Sequence, residues 1–178
     1  MEKIYAVGIE RRKDEALLQS FAEYDGQKIM KAESTPQEPF EMEISEGTTL
    51  YDVVGYQDTW NFAISKKMYD LLKSNKVTGW EGYRITIKGI EDVYFGFQVT
   101  GKCGALFSPK EEGFYTGFRF DHNSWGNSDF FSPDGTMLIF CTEKVRSLFK
   151  IHKITNVSLP DISTVESYSF GSQSSSKQ

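Results

Sequence analysis

The chain has 178 residues, 25 acidic side chains against 20 basic ones, and a net charge of −5. That length makes one domain with room for a sizeable core. The acidic balance excludes a general nucleic-acid binder, which needs surplus Lys and Arg to neutralise phosphates, and no apolar run is long enough to cross a membrane as a helix.

The opening MEKIYAVGIERRKDE has no apolar core of the signal-peptide kind, and Cys103 and Cys141 do not make a disulfide framework, so a reduced, cytoplasmic protein is expected. Aromatic residues make up 15% of the chain, which favours sheet over a helical bundle. In chain order, Lys3–Ile9 alternates like an opening strand. Asp14–Gly26 is predicted as a short helix with Ala16, Leu17, Phe21 and Tyr24 on its apolar side, and KAESTPQEP after it as a loop. Phe40, Met42 and Ile44 alternate along a strand. The stretch from Glu33 to Asp58 carries Glu33, Glu38, Glu41, Glu43, Glu46, Asp52 and Asp58 with no Lys or Arg. It reads either as solvated surface or as a docking face for a basic partner.

From Ile64 the chain nearly repeats itself. ISKKMYDLLKSNKVTG (64–79) aligns without a gap with CTEKVRSLFKIHKITN (141–156), an offset of 77 residues (141 − 64 = 77). Ser65 and Thr142 are N-cap types. Met68, Leu71 and Leu72 make one apolar stripe, and Val145, Leu148 and Phe149 another. Gly79 and Asn156 tolerate a positive φ. Two pseudo-repeated helix–turn–strand units are therefore expected, with helices over 65–75 and 142–152.

Between the copies, Tyr83–Lys88 and Val93–Val99 read as two strands of a hairpin. GKCGALF is read as a continuation of the sheet and Gly113–Phe120 as a further strand candidate, followed by the turn-rich DHNSWGNSDFFSPDG and a short buried strand, TMLIF. ITNVSL closes the fold. Residues 1–162 are read as one α+β domain with a mixed, mostly antiparallel sheet, and the Ser-rich 163–178 as a disordered tail.

No stretch of this sequence carries a recognisable catalytic motif. His122, Asp129 and Cys103 are the residues around which an enzyme or small-molecule site could be built, but no ligand spacing for zinc accompanies them. The expectation is no catalytic residue, no metal and no cofactor. In Trp125-Gly126-Asn127-Ser128-Asp129-Phe130-Phe131 the aromatics either cap the core or form an anchor loop for a protein partner. The basic repeat helices, with Lys66, Lys67, Lys144 and Lys150, offer a third reading as an anion-binding adaptor.

The order ISKK-x3-LLK-x3-VTG, then WGNSDFF, then TMLIFCTEKV and ITNV resembles a bacterial immunity-protein family of polymorphic toxin systems, over about residues 60–159. Asn156 stands where that family often has Gly. The resemblance carries over no catalytic residue. It implies a protein that binds a cognate toxin stoichiometrically and blocks it. On that expectation Glu38, Glu41, Glu43, Asp52, Trp125 and Asp129 are the candidate partner-binding residues.

Overall fold

A computed structural model describes residues 2–170. In chain order it contains β1 (Ile4–Ala6), β2 (Gly8–Ile9), β3 (Leu17–Ser20), α1 (Gly26–Met30), β4 (Phe40–Glu46), β5 (Val53–Gly55) and β6 (Phe62–Ser65). There follow α2 (Lys66–Ser74), β7 (Trp80–Ile87), β8 (Tyr94–Val99), β9 (Lys102–Cys103), β10 (Glu112–Thr116), β11 (Phe130–Pro133) and β12 (Phe140–Thr142). The last elements are α3 (Glu143–Ile151), β13 (Val157–Ser158) and β14 (Glu166–Phe170), with single 3₁₀ turns at His122–Ser124 and Ile162–Thr164. This is an α+β fold. Its large sheet runs β3-β4-β7-β8-β6-β5 and a second runs β1-β12-β11-β9. Among the described residues, the named strands all pair antiparallel except β4 with β7 and β11 with β9. No helix among the described residues is long and apolar enough to cross a membrane.

Both repeat helices form where the spacing predicts them, and the repeat is longer than the sequence identity. Val53 pairs with Ile64 and Val54 with Ala63, as Phe130 pairs with Cys141 and Phe131 with Phe140. Every residue in one set has its counterpart at the same 77-residue offset. Each helix packs on the strand pair before it, and each is followed by the same bend: Lys76 and Lys153 both have φ 51°, Gly79 has φ 81° and Asn156 φ 63°. The strand that completes each unit comes from a different part of the chain. Phe95 and Val99 of β8 lie opposite Ile64 and Trp80. Tyr5 of β1 and Ile9 of β2 lie opposite the counterparts, Cys141 and Val157. The second unit is thus a circular permutation of the first, its last strands supplied by residues that precede the first unit in the chain.

The main core lies between the two units, where Ile64, Met68, Leu72, Trp80 and Phe97 meet Phe130, Cys141, Val145 and Phe149. A second cluster fills the far side of the large sheet beneath α1, including Leu18, Met42, Tyr56 and Tyr83. A third, with Ile4, Trp125, Phe131 and Phe140, backs the smaller sheet. Phe130 and Phe131 show the period-two logic directly: neighbours in β11, they enter opposite cores.

Several local expectations are corrected. Asp14–Gly26 is not a helix. Ala16 and Leu18 are both fully buried while Phe21 is exposed, an alternation of two that suits β3, and the helix begins at Gly26, capped by Asp25, whose carboxylate accepts from the Lys28 N–H at 3.1 Å. Phe130–Pro133 is a strand instead of a loop, and 136–139 is irregular up to β12. Of the stretch read as a tail, 166–170 is strand β14, paired along its length with β10; residues 171–178 lie outside the described residues. Thr142 makes no cap bond, unlike Ser65, whose hydroxyl accepts from the Met68 N–H at 3.2 Å. Leu71 is buried, whereas its counterpart Leu148 is only partly covered. Leu71→Ala should therefore cost about 3 kcal/mol in urea unfolding, and Leu148→Ala distinctly less. Equal losses would show that the two helices pack alike after all.

Candidate partner-binding surface

Two of the proposed contact residues are tied into the junction of the repeats. Asp52, ahead of the first copy, accepts from the backbone N–H and the hydroxyl of Thr155 in the second copy, at 2.9 and 3.1 Å. Asp129, its counterpart, accepts from the N–H and hydroxyl of Thr78 in the first, at 2.9 and 3.2 Å. Each bond is returned: Asp52 N–H donates to Thr155 Oγ1 and Asp129 N–H to Thr78 Oγ1. Lys67 Nζ lies 3.5 Å from Asp52 and Lys144 Nζ 3.0 Å from Asp129. The units are cross-stitched. Burial pulls both carboxyls up. The bonds from Ser65 and Thr155, with Lys67 nearby, outweigh it for Asp52, as do those from Thr78 and Lys144 for Asp129, and both sit below the ordinary carboxylate value. Their side chains are only 11% and 13% exposed. Lys67 and Lys144 are thereby committed as well.

Trp125 is 8% exposed. Its ring packs on Phe131 at 4.9 Å and its indole N–H donates to the Ser128 carbonyl at 3.1 Å. It is a core residue, and the anchor-loop reading does not apply to it.

Glu38, Glu41 and Glu43 fall together. Glu41 and Glu43 share the face of β4 opposite Phe40 and Met42, and Glu38 is exposed in the loop before it. Glu41 is beside Thr86, and Glu43 accepts from Gln19 Nε2 at 2.6 Å. Lys88 lies over the exposed Phe21 ring on the same side, 5.9 Å away, so the acidic stretch does not present negative charge alone.

His122, Asp129 and Cys103 are not brought to one place. Cys103 is buried among Phe120, Trp125 and Phe131, and burial together with Asp134 pushes its thiol up to about 11, which disfavours a thiolate nucleophile. His122 is exposed, its ring stacked on Phe120 at 4.6 Å. It edges a cleft of about 500 Å³ floored by Ile4, Phe118, Phe120 and Ile162, which neither Asp129 nor Cys103 lines. Among the described residues, no group of three or more His, Cys, Asp and Glu is placed to hold a metal ion.

The surface that sequence reasoning missed is the ribbon of β10 and β14. Among the described residues the two strands pair only with each other. On one face, Phe114 lies opposite Tyr168 and Glu112 opposite Phe170. Phe114 is 84% exposed and Phe170 83%, with Tyr168 at 42% between them. The rings meet edge to face, with centroids 4.8 Å apart for Phe114–Tyr168 and 5.1 Å for Tyr168–Phe170. Scattered exposed apolar residues are ordinary; a contiguous ladder of rings is the mark of an interaction surface. The alternation E-S-Y-S-F was the available signal.

No protein-family model matches this chain, and comparison with curated proteins finds no match.

Proposed function

We propose that the protein is an immunity protein that binds a cognate bacterial toxin in the cytoplasm and neutralises it stoichiometrically, without catalysis. The exposed ladder Phe114–Tyr168–Phe170 carries this reading. Large aromatics bury much area at low entropy cost and dominate protein contacts. The resemblance of residues 60–159 to immunity proteins of polymorphic toxin systems supplies the class of partner. The acidic Glu38, Glu41 and Glu43 would contribute to encounter rather than to residence, because exposed charge chiefly raises association rates.

Co-expression with the toxin encoded beside it should rescue cells, and the two proteins should elute as a one-to-one complex on size exclusion. Phe114→Ser with Phe170→Ser should leave the melting temperature nearly unchanged, since both rings face solvent, while raising the dissociation rate by about tenfold or more. Rescue without a physical complex would remove this reading and favour an enzyme that reverses the toxin's damage.

A further inference from the structure

The outer face of the ribbon carries charge as well as rings, and the pattern specifies a partner chemistry. Strand pairing sets three rows: Glu112 opposite Phe170, Phe114 opposite Tyr168, and Thr116 opposite Glu166. All six residues share one face by the alternation of the strands. A carboxylate therefore flanks the rings on each strand, Glu112 across from Phe170 and Glu166 one row beyond Tyr168. Tyr168 donates its hydroxyl to Glu112, which orients that carboxylate beside the ring. Among the described residues, neither Glu112 nor Glu166 is within ion-pair distance of a Lys or Arg.

We propose that this face recognises a basic segment of a protein partner, whose Arg or Lys side chains lie on the rings of Phe114, Tyr168 and Phe170 and reach the carboxylates of Glu112 and Glu166. Ring faces attract cations, Arg above all, and the flanking carboxylates add a directed charge on each strand. The rings form an open row, with steps of 4.8 and 5.1 Å. A row suits successive side chains of a polypeptide, whereas a single ammonium would need rings closed around it. A second copy of this chain fits poorly, because it would bring Glu112 and Glu166 against their own kind. Nucleic acid is disfavoured by the same two charges. The inference rests on the toxin-binding reading only for the identity of the partner; its chemistry stands on the ribbon.

The test uses the full chain and two synthetic peptides, one alternating Arg and Val, the other Glu and Val. Titrations followed by amide shifts should show the Arg peptide perturbing residues 112–116 and 166–170, and weakening as salt is raised. Glu112→Lys with Glu166→Lys keeps every ring and should weaken that binding by about tenfold or more. Phe114→Thr with Phe170→Thr should weaken it comparably, and the charge-reversed variant decides the matter if the ribbon itself proves unstable without its rings. Equal binding of the Glu peptide, shifts confined to another surface, unchanged affinity in the charge-reversed variant, or concentration-dependent dimers held through the ribbon would each overturn the proposal. Toxin rescue that survives charge reversal would overturn it too, while leaving the toxin-binding reading intact. Arg-peptide binding at the ribbon in a protein that rescues from no toxin would support the ribbon and remove that reading.

Discussion

Gly79→Asn should leave little folded protein, while the reverse exchange at the matching position, Asn156→Gly, should be tolerated. Gly79 has φ 81° and its missing Cβ would stand 1.9 Å from the carbonyl oxygen of Phe130 and 2.9 Å from Ser128 Cβ. The obstacle is backbone in β11, which cannot swing aside as a side chain would. Phe130 is fully buried between the two units, so moving it disturbs the main core. A cost of about 4 kcal/mol or more follows, a large share of the stability of an ordinary domain. At Asn156 the same junction is solved differently. There the side-chain amide donates to the carbonyl of Val53, the counterpart of Phe130, at 2.9 Å and to Glu15 at 2.7 Å, and its oxygen accepts from the Arg12 N–H at 3.1 Å. Glycine would fit but abandon those bonds, at about 2 kcal/mol. Far-UV circular dichroism and urea titration of the two variants decide this. A folded Gly79→Asn protein with a wild-type midpoint would mean that the approach of Gly79 to β11 is far looser than described.

The second large effect belongs to the cross-stitch. Asp52→Ala combined with Asp129→Ala should cost about 5 kcal/mol, since each removes several charge-assisted bonds between the units and strands a threonine N–H. The pH dependence has a definite sign. Both carboxyls are held below their ordinary value in the folded protein. Their contribution is therefore complete above the unfolded value of about 4 and is lost as the pH falls through the lower, folded values. Wild-type protein should lose urea resistance steeply below about pH 4. Asp52→Asn with Asp129→Asn should start less stable and lose less over the same range. Parallel pH slopes for the two proteins would show that these carboxyls do not govern the acid transition.

The repeat was legible because the residues of a capped amphipathic helix are constrained one by one: Lys67 and Lys144, Leu71 and Leu148, Thr78 and Thr155 coincide in sequence. Its strands were not. Val53-Val54 and Phe130-Phe131 share burial and register but no side chain, because a sheet position asks only for an apolar group of suitable size. Asp52 and Asp129 keep the same spacing, yet their role depends on a threonine in the other copy, which no local pattern discloses. Tyr69 and Arg146 show how far counterparts can drift. One stacks on Phe95 at 3.9 Å and the other lays its guanidinium over Tyr5 at 4.7 Å, the same place in each unit. Leu17 and Phe21 fell at helical spacing by accident, and burial of Ala16 and Leu18 decided for a strand. The ribbon was lost to composition. Five residues alternating Ser with aromatics look solvent-loving until their partner strand, distant in sequence, is known.

The permuted second unit has a consequence for how the chain is made. A ribosome delivers β1 and β2 long before the strands they complete, β12 and β13; Tyr5 and its bonding partner Glu143 are 138 positions apart. The first unit, contiguous from Asp52 to Val99, can close while the remainder is still being synthesised. The opening strands must wait as an unpaired edge for several seconds at usual rates of elongation. The polar run Glu10-Arg11-Arg12-Lys13-Asp14 that follows them directly is a charge cluster of the kind that keeps such a waiting edge from recruiting its neighbours.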